Sequence, residues 1–183
     1  MKVLIVVAHP DKNSIELKNI VPTINMSYKK KGYEVVVINL YNDGYNPSQF
    51  VGDISNINNN AFAKSYRNEV KLADKIFIVS STRWLTLNPL LEGWIDQVFI
   101  KGFAFKQGTP LFKRKKLTII TTSNLKGKHR ILTLNLLWIR LRLLVFPQIF
   151  GWKGVRMIQL WGVKDLTRPQ INVQLKKIQK RLK

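Results

Sequence analysis

Apolar residues in this chain cluster in short runs, separated by longer stretches of mixed periodicity. Residues 2–8 are apolar after the first lysine and give way to His9-Pro10, the pattern of a strand buried on both faces. Residues 34–40, 75–80, 117–122 and 155–161 repeat it with many β-branched side chains and predict four more strands. Ser14 is placed to cap a helix that runs to about Lys31, ends at Gly32 and is kinked at Pro22. Residues 61–72 predict a second helix. Asn88-Pro89 supplies a cap and a first-turn proline for a third, reaching about Ile100. A long helix is expected over 129–146, stopped by Pro147, and a basic one over 168–182. The segment from Tyr41 to about Asn60, rich in Asn, Gly and Pro, reads as loop.

Strand and helix thus alternate five times. That order predicts an α/β fold, a five-stranded parallel sheet with helices on both faces, as a single domain over residues 1–183. Open parallel sheets bind ligands beyond the carboxyl ends of their strands. The loops of interest are therefore 9–14, 81–88 and 121–129. The first leads from a strand into a helix N-terminus, where free N–H groups and the helix dipole favour a phosphate. His9, Lys12, Asn13 and Ser14 can add charge or donors, although neither a dinucleotide glycine fingerprint nor a Walker lysine motif is present. Trp84, in the second loop, can flank a planar ligand. Thr121, Thr122, Ser123 and Asn124, in the third, can meet the polar edge of a flat heterocycle.

Composition narrows the chemistry. Cysteine is absent and the two histidines, His9 and His129, stand far apart, which argues against disulfide, thiolate and His-based metal sites. No secretory signal is visible, so a cytoplasmic location is expected. The net charge is +21, and the 68 residues between Asp96 and Asp165 hold 14 Lys and Arg with no carboxylate. Such a field attracts anions, whether an anionic membrane surface, an acidic protein or a phosphorylated cofactor. No nucleic-acid-binding signature accompanies it, so no specific nucleic-acid partner is expected.

Several stretches resemble the flavodoxin-like NAD(P)H:quinone oxidoreductase family, which includes mammalian quinone reductases and ancillary subunits of bacterial potassium-efflux systems. They are residues 3–10 with Ser14, Asn39-Leu40-Tyr41 with Asn46-Pro47, Ala73-Asp74, and residues 116–122. The most specific block, 84–105, carries Pro89-Leu90-Leu91, Gly93-Trp94-Ile95-Asp96, Val98-Phe99 and Gly102-Phe103-Ala104-Phe105. The resemblance implies a flavin cofactor, FMN or alternatively FAD, with NAD(P)H as electron donor and a quinone or similar two-electron acceptor as substrate. The shorter chain favours FMN. The family's flavin contacts carry over to His9, Asn13 and Ser14 for the phosphate. Thr82, Arg83, Trp84 and Leu85 would lie along the ring system, and Thr121, Thr122, Ser123 and Asn124 at its pyrimidine edge. Trp84 and Phe105 would wall the acceptor site, Phe105 from a partner subunit, with His129 the nearest match to a residue used near hydride transfer. No residue is assigned a catalytic role. The chain departs from the family at Ser81 (usually proline), at Arg83 (usually Gln) and at Ser123-Asn124 (usually Gly-Gly). These departures keep open an alternative, a non-catalytic accessory or regulatory subunit.

Residues 131–150 are strongly apolar, but Arg140 and Arg142 would each cost roughly 2.5–3.5 kcal/mol at the centre of a bilayer, which argues against a span. At α-helical stepping two apolar faces emerge. One holds Ile131, Leu134, Trp138, Leu141 and Val145, the other Leu132, Leu136, Ile139, Leu143 and Phe146. A helix lying on a sheet needs one such face and the second needs a partner: the resemblance implies a homodimer, with a lipid surface or burial under the C-terminal helix as the alternatives.

Overall fold

Residues 3–8 have no exposed surface in the computed structural model, which describes residues 1–47, 61–82, 86–125, 136–151 and 153–182. They form most of β1 (Lys2–Ala8), the strand on which the sheet is built. A π-helical turn (Glu16–Ile20) runs into α1 (Val21–Lys29), followed by β2 (Glu34–Asn39), α2 (Ala61–Leu72), β3 (Lys75–Ser81) and α3 (Pro89–Val98). Two short strands, β4 (Phe105–Lys106) and β5 (Thr109–Pro110), precede β6 (Lys116–Ser123). A second π-helical segment (Ile139–Val145), α4 (Pro147–Phe150), β7 (Val155–Trp161), a 3-10 turn (Val163–Asp165) and α5 (Arg168–Arg181) complete the chain. The five long strands are parallel, in the order β2-β1-β3-β6-β7.

Each face of the sheet carries its own core, because successive side chains of a strand point to opposite faces. Leu4, Val6, Ile76, Ile78, Leu117 and Ile119 pack with α2, α3 and residues 137–150. Val3, Ile5, Val7, Phe77, Val79, Ile120 and Ile158 pack with α1 and α5.

Proline shapes both helical irregularities. The expected kink at Pro22 takes the form of a change of winding: the Val21 N–H bonds five residues back to the Glu16 carbonyl, and α-helical spacing resumes through Pro22, which has no N–H to give. Pro147 was expected to end the long helix. Instead it opens α4, at a first-turn position where a missing N–H costs nothing. The π winding before it also rearranges the two anticipated faces. The Phe146 N–H reaches Leu141 O at 3.0 Å, five residues back, and Phe146 turns into the core beside Leu137 and Leu141. Leu136, Trp138, Ile139 and Leu144 remain exposed. Residues 131, 132 and 134 lie outside the described residues. Arg140, on this segment, holds Glu92 of α3 through two bonds of 2.7 and 2.9 Å.

The β4–β5 hairpin has no counterpart in the sequence reading. Its strands are two residues long, too short to show alternation, and its turn is made by Gln107 and Gly108, both at positive φ. Asn88 caps α3 as anticipated, accepting the Leu90 N–H at 3.0 Å. Midway along α3, Gly93 lies against Pro47, whose carbonyl also accepts Gln97 Nε2 at 3.1 Å. A methyl group at position 93 would collide with the Pro47 ring. Gly93→Ala should therefore lower the unfolding free energy by about 1–3 kcal/mol through overpacking, despite alanine's better helix propensity. A urea titration should show a lower midpoint with an unchanged slope.

Candidate functional site

The strand order reverses at β1. β2 lies on one side of it, and the chain then crosses to β3 on the other, so the carboxyl ends of β1 and β3 flank a crevice. A cavity of about 230 Å3 opens there. It is lined by His9, Asp11, Ser14, Ile15 and Glu16 after β1, Ser81 and Thr82 after β3, Thr122, Ser123 and Asn124 after β6, and Val163 and Lys164 after β7. A larger cleft, about 680 Å3, lies at the opposite edge between the β4–β5 hairpin and α4. The smaller cavity has the polar groups suited to a ligand.

The loop after β1 is held by its own polar groups. Asp11 accepts the Ser14 N–H at its carbonyl (3.1 Å) and the Asn13 N–H at Oδ1 (2.8 Å). His9 Nδ1 lies against the Asp11 main chain, 3.1 Å from its N–H and 3.2 Å from its carbonyl oxygen. Ser14 Oγ accepts the Leu17 N–H at 3.4 Å. The first helical turn after Ser14 presents N–H groups that have no partner within the helix.

Glu16 was not singled out from the sequence. It is 2% exposed, its Oε1 accepts the Thr122 hydroxyl, and its Oε2 lies 3.8 Å from His9 Nε2. A carboxylate in a first helical turn is favoured by the helix dipole, which offsets part of the cost of burial. The available signal was spacing: Glu16, Ile20 and Ile24 recur every four residues and so share the buried stripe of the helix.

The other two loops are tied together. Thr82 extends the β3–β6 ladder, donating its N–H (2.8 Å) and its hydroxyl (3.0 Å) to Thr122 O. Ser123 Oγ accepts the Leu125 N–H at 3.2 Å, and Asn124 Oδ1 accepts the Lys164 N–H at 3.2 Å. Gln107 is the one non-glycine residue at positive φ among the described residues, so Ser123 and Asn124 pass through this corner without the backbone that two glycines would permit.

Of the residues expected to hold a cofactor, His9, Ser14, Thr82, Thr122, Ser123 and Asn124 share the cavity. Asn13 is exposed on the loop. The Thr121 side chain lies on the other face of the sheet, fully buried, its hydroxyl without a hydrogen-bond partner. Phe105 is half-buried in the β4–β5 hairpin and does not line the cavity. Arg83, Trp84, Leu85 and His129 lie outside the described residues. Among the described residues no group of three or more His, Asp or Glu is placed to hold a metal, and no helix is long and apolar enough to cross a membrane.

Residues 1–182 match the sequence profile of a family described by its flavodoxin-like fold. An uncharacterized NAD(P)H oxidoreductase of Haemophilus influenzae is 27% identical over 124 residues, covering 64% of this chain and 61% of the relative. The chain spans about three fifths of the length of the curated relatives it matches. Among solved structures, a putative quinone reductase from Klebsiella pneumoniae superposes with a TM-score of 0.83 at 18% identity, over 100% of this chain and 83% of that one. An FMN-dependent NADH-azoreductase from Bacillus anthracis, solved with FMN, superposes with a TM-score of 0.75 at 17% identity, over 99% and 97%.

Thr122 gives Glu16 its hydroxyl donor. Thr122→Val keeps the side-chain shape, removes that donor and should cost about 1–3 kcal/mol, measured by urea unfolding at neutral pH. Ser123→Ala, at the neighbouring strand end, should change stability far less.

Proposed function

As a member of the flavodoxin-like fold family, the chain, we propose, is a flavin-dependent NAD(P)H oxidoreductase that reduces quinones or similar two-electron acceptors, with FMN as its cofactor. The observation that carries this reading is the cavity at the switch point, where a helix N-terminus and two polar strand ends converge. Relatives and structural neighbours named as NAD(P)H oxidoreductases, quinone reductases and FMN-dependent azoreductases support it.

The residues present suit the cofactor. The free N–H groups of the first helical turn and Ser14 Oγ would hold its phosphate, with Lys164 adding positive charge at the wall. Thr82, Thr122, Ser123 and Asn124 would offer hydroxyl, amide and main-chain groups to the polar edge of the ring system. When bound, the flavin would supply the two-electron redox chemistry between nicotinamide and acceptor. Glu16 sets the affinity: its charge opposes a phosphate at the same helix end, and the Thr122 hydroxyl and His9 hold it to the inner side of the cavity.

Purified protein incubated with FMN should retain the flavin spectrum through gel filtration and should oxidise NADH or NADPH when a quinone is added. Failure to bind FMN or FAD overturns the reading. Flavin binding without NAD(P)H consumption supports the alternative, an accessory subunit, which the buried carboxylate at the phosphate position favours. Glu16→Gln should tighten FMN binding by about tenfold, or 1.4 kcal/mol, measured by fluorescence quenching.

A homodimer is part of the same reading. Leu136, Ile139 and Leu144, at 44, 41 and 59% exposure, sit on a segment whose other side is already buried in the core. Pairing two copies would remove this apolar patch from water against the repulsion of two chains of charge +21, a repulsion that salt screens. Light scattering should report a dimer that persists or strengthens as salt rises, and Leu136→Glu with Leu144→Glu should yield monomers. A wild-type monomer at micromolar concentration in moderate salt would overturn the proposal.

A further inference from the structure

The amino ends of the strands, opposite the candidate site, gather positive charge. Lys75 opens β3 and Lys116 opens β6, and the two are partners in the parallel register. Arg156, in β7, pairs with Thr118, two residues beyond Lys116. Alternation places Lys75, Lys116 and Arg156 on the sheet face that packs α1 and α5, the face of Phe77, Ile120 and Ile158. Arg181, at the end of α5, and Lys153, before β7, join them around a cavity of about 190 Å3, and no Asp or Glu among the described residues lines it. Lys31 approaches from the end of α1, its Nζ 5.2 Å from the Tyr28 ring centre, while Lys75 Nζ lies 5.0 Å from the same ring.

This arrangement concentrates like charge, with Lys116, Lys153, Arg156 and Arg181 exposed to solvent. Like charges on directly paired strands repel. Lys75 is half-buried, and its pKa is lowered first by burial and then by Lys116, Lys31 and Arg156. Asp74 opposes that shift only weakly; its Oδ2 accepts the Lys2 N–H at 2.7 Å. The acceptors at hand are main-chain carbonyls at the end of α5. Leu182 O takes the Tyr28 hydroxyl (3.3 Å) and Lys31 Nζ (3.4 Å), and Arg181 O takes Arg156 at 3.5 Å. These are partial charges facing six cations.

We propose that this cavity is a second anion site, for a small multivalent phosphate of about the size of pyrophosphate. The cavity is large enough to admit a diphosphate group. The cations converge from three strands and a helix, so several phosphate oxygens can be met at once, with Arg156 and Arg181 offering forked donors. The diphosphate can be free or can be the end of a nucleotide whose remainder stays in solvent.

Isothermal titration and thermal unfolding with pyrophosphate, at ionic strength held constant with potassium chloride, test the proposal. Pyrophosphate should bind and raise Tm by several degrees, and Lys116→Gln and Arg156→Gln should each weaken binding by about tenfold or more. Both variants should keep or raise the Tm of the unliganded protein, because each removes repulsion, which also shows that they fold. Lys106→Gln, an equal charge loss on the β4–β5 hairpin, should leave binding unchanged. ADP binding as tightly as pyrophosphate assigns the site to a nucleotide's diphosphate, and ADP binding tenfold more weakly assigns it to the free anion. A Tm response matched by chloride, binding indifferent to Lys116→Gln and Arg156→Gln, displacement of pyrophosphate by FMN, or binding of long polyanions alone would each overturn it.

Discussion

β1 is bonded to a strand on either side and packed by helices on either face, so from Val3 to Ala8 it has no place for a polar side chain. The same constraint acts on β3 and β6. A parallel sheet covered on both faces must place its polar chemistry at the strand ends, and all carboxyl ends lie on one side. Hydroxyls, amides and the helix N-terminus collect there, while the opposite edge collects lysines and arginines. Both ends therefore follow from burial of the middle.

Glu16 shows how closely the carboxyl end is balanced. A helix N-terminus can take one anion cheaply, and here the chain supplies one of its own. The carboxylate holds β6 to the first helical turn through Thr122 and faces His9 across the cavity. It thereby strengthens the frame and sets a threshold for any phosphate arriving at the same place. Its neutral amide counterpart would offer the frame a weaker acceptor and the phosphate a better welcome, so cohesion and affinity are opposed at this position.

The large excess of positive charge has one identifiable structural consequence at the amino end of the sheet. Strand pairing sets Lys75 against Lys116, and the aromatic faces of Tyr28 and Tyr33 shelter part of the charge, with Lys75 Nζ 5.4 Å from the Tyr33 ring centre. Elsewhere positive charge is neutralised locally, as where Glu92 holds Arg140 and where Glu34 and Glu69 hold Lys2. The contrast separates a cluster whose charged lining groups, among the described residues, are all cations from the ordinary ion pairs of the surface.

The sequence by itself determined the strands, their parallel arrangement, the Asn88 cap and the three loops that could form a site. Each rests on residues a few positions apart: an apolar run, a side chain reaching the next turn, a proline at a first helical position. The family resemblance was legible for the same reason, in short blocks that keep their order along the chain. What only the tertiary structure decided depends on distant partners. Glu16 meets Thr122 across 106 positions of sequence, and the basic cavity joins α5 to the starts of three strands. The π windings moved Phe146 into the core against the face expected at α-helical stepping, and the β4–β5 hairpin closes through a two-residue turn that leaves no periodicity to read. Local hydrogen bonding can be read from neighbouring residues, whereas the company a buried side chain keeps is set by packing between elements that the sequence holds far apart.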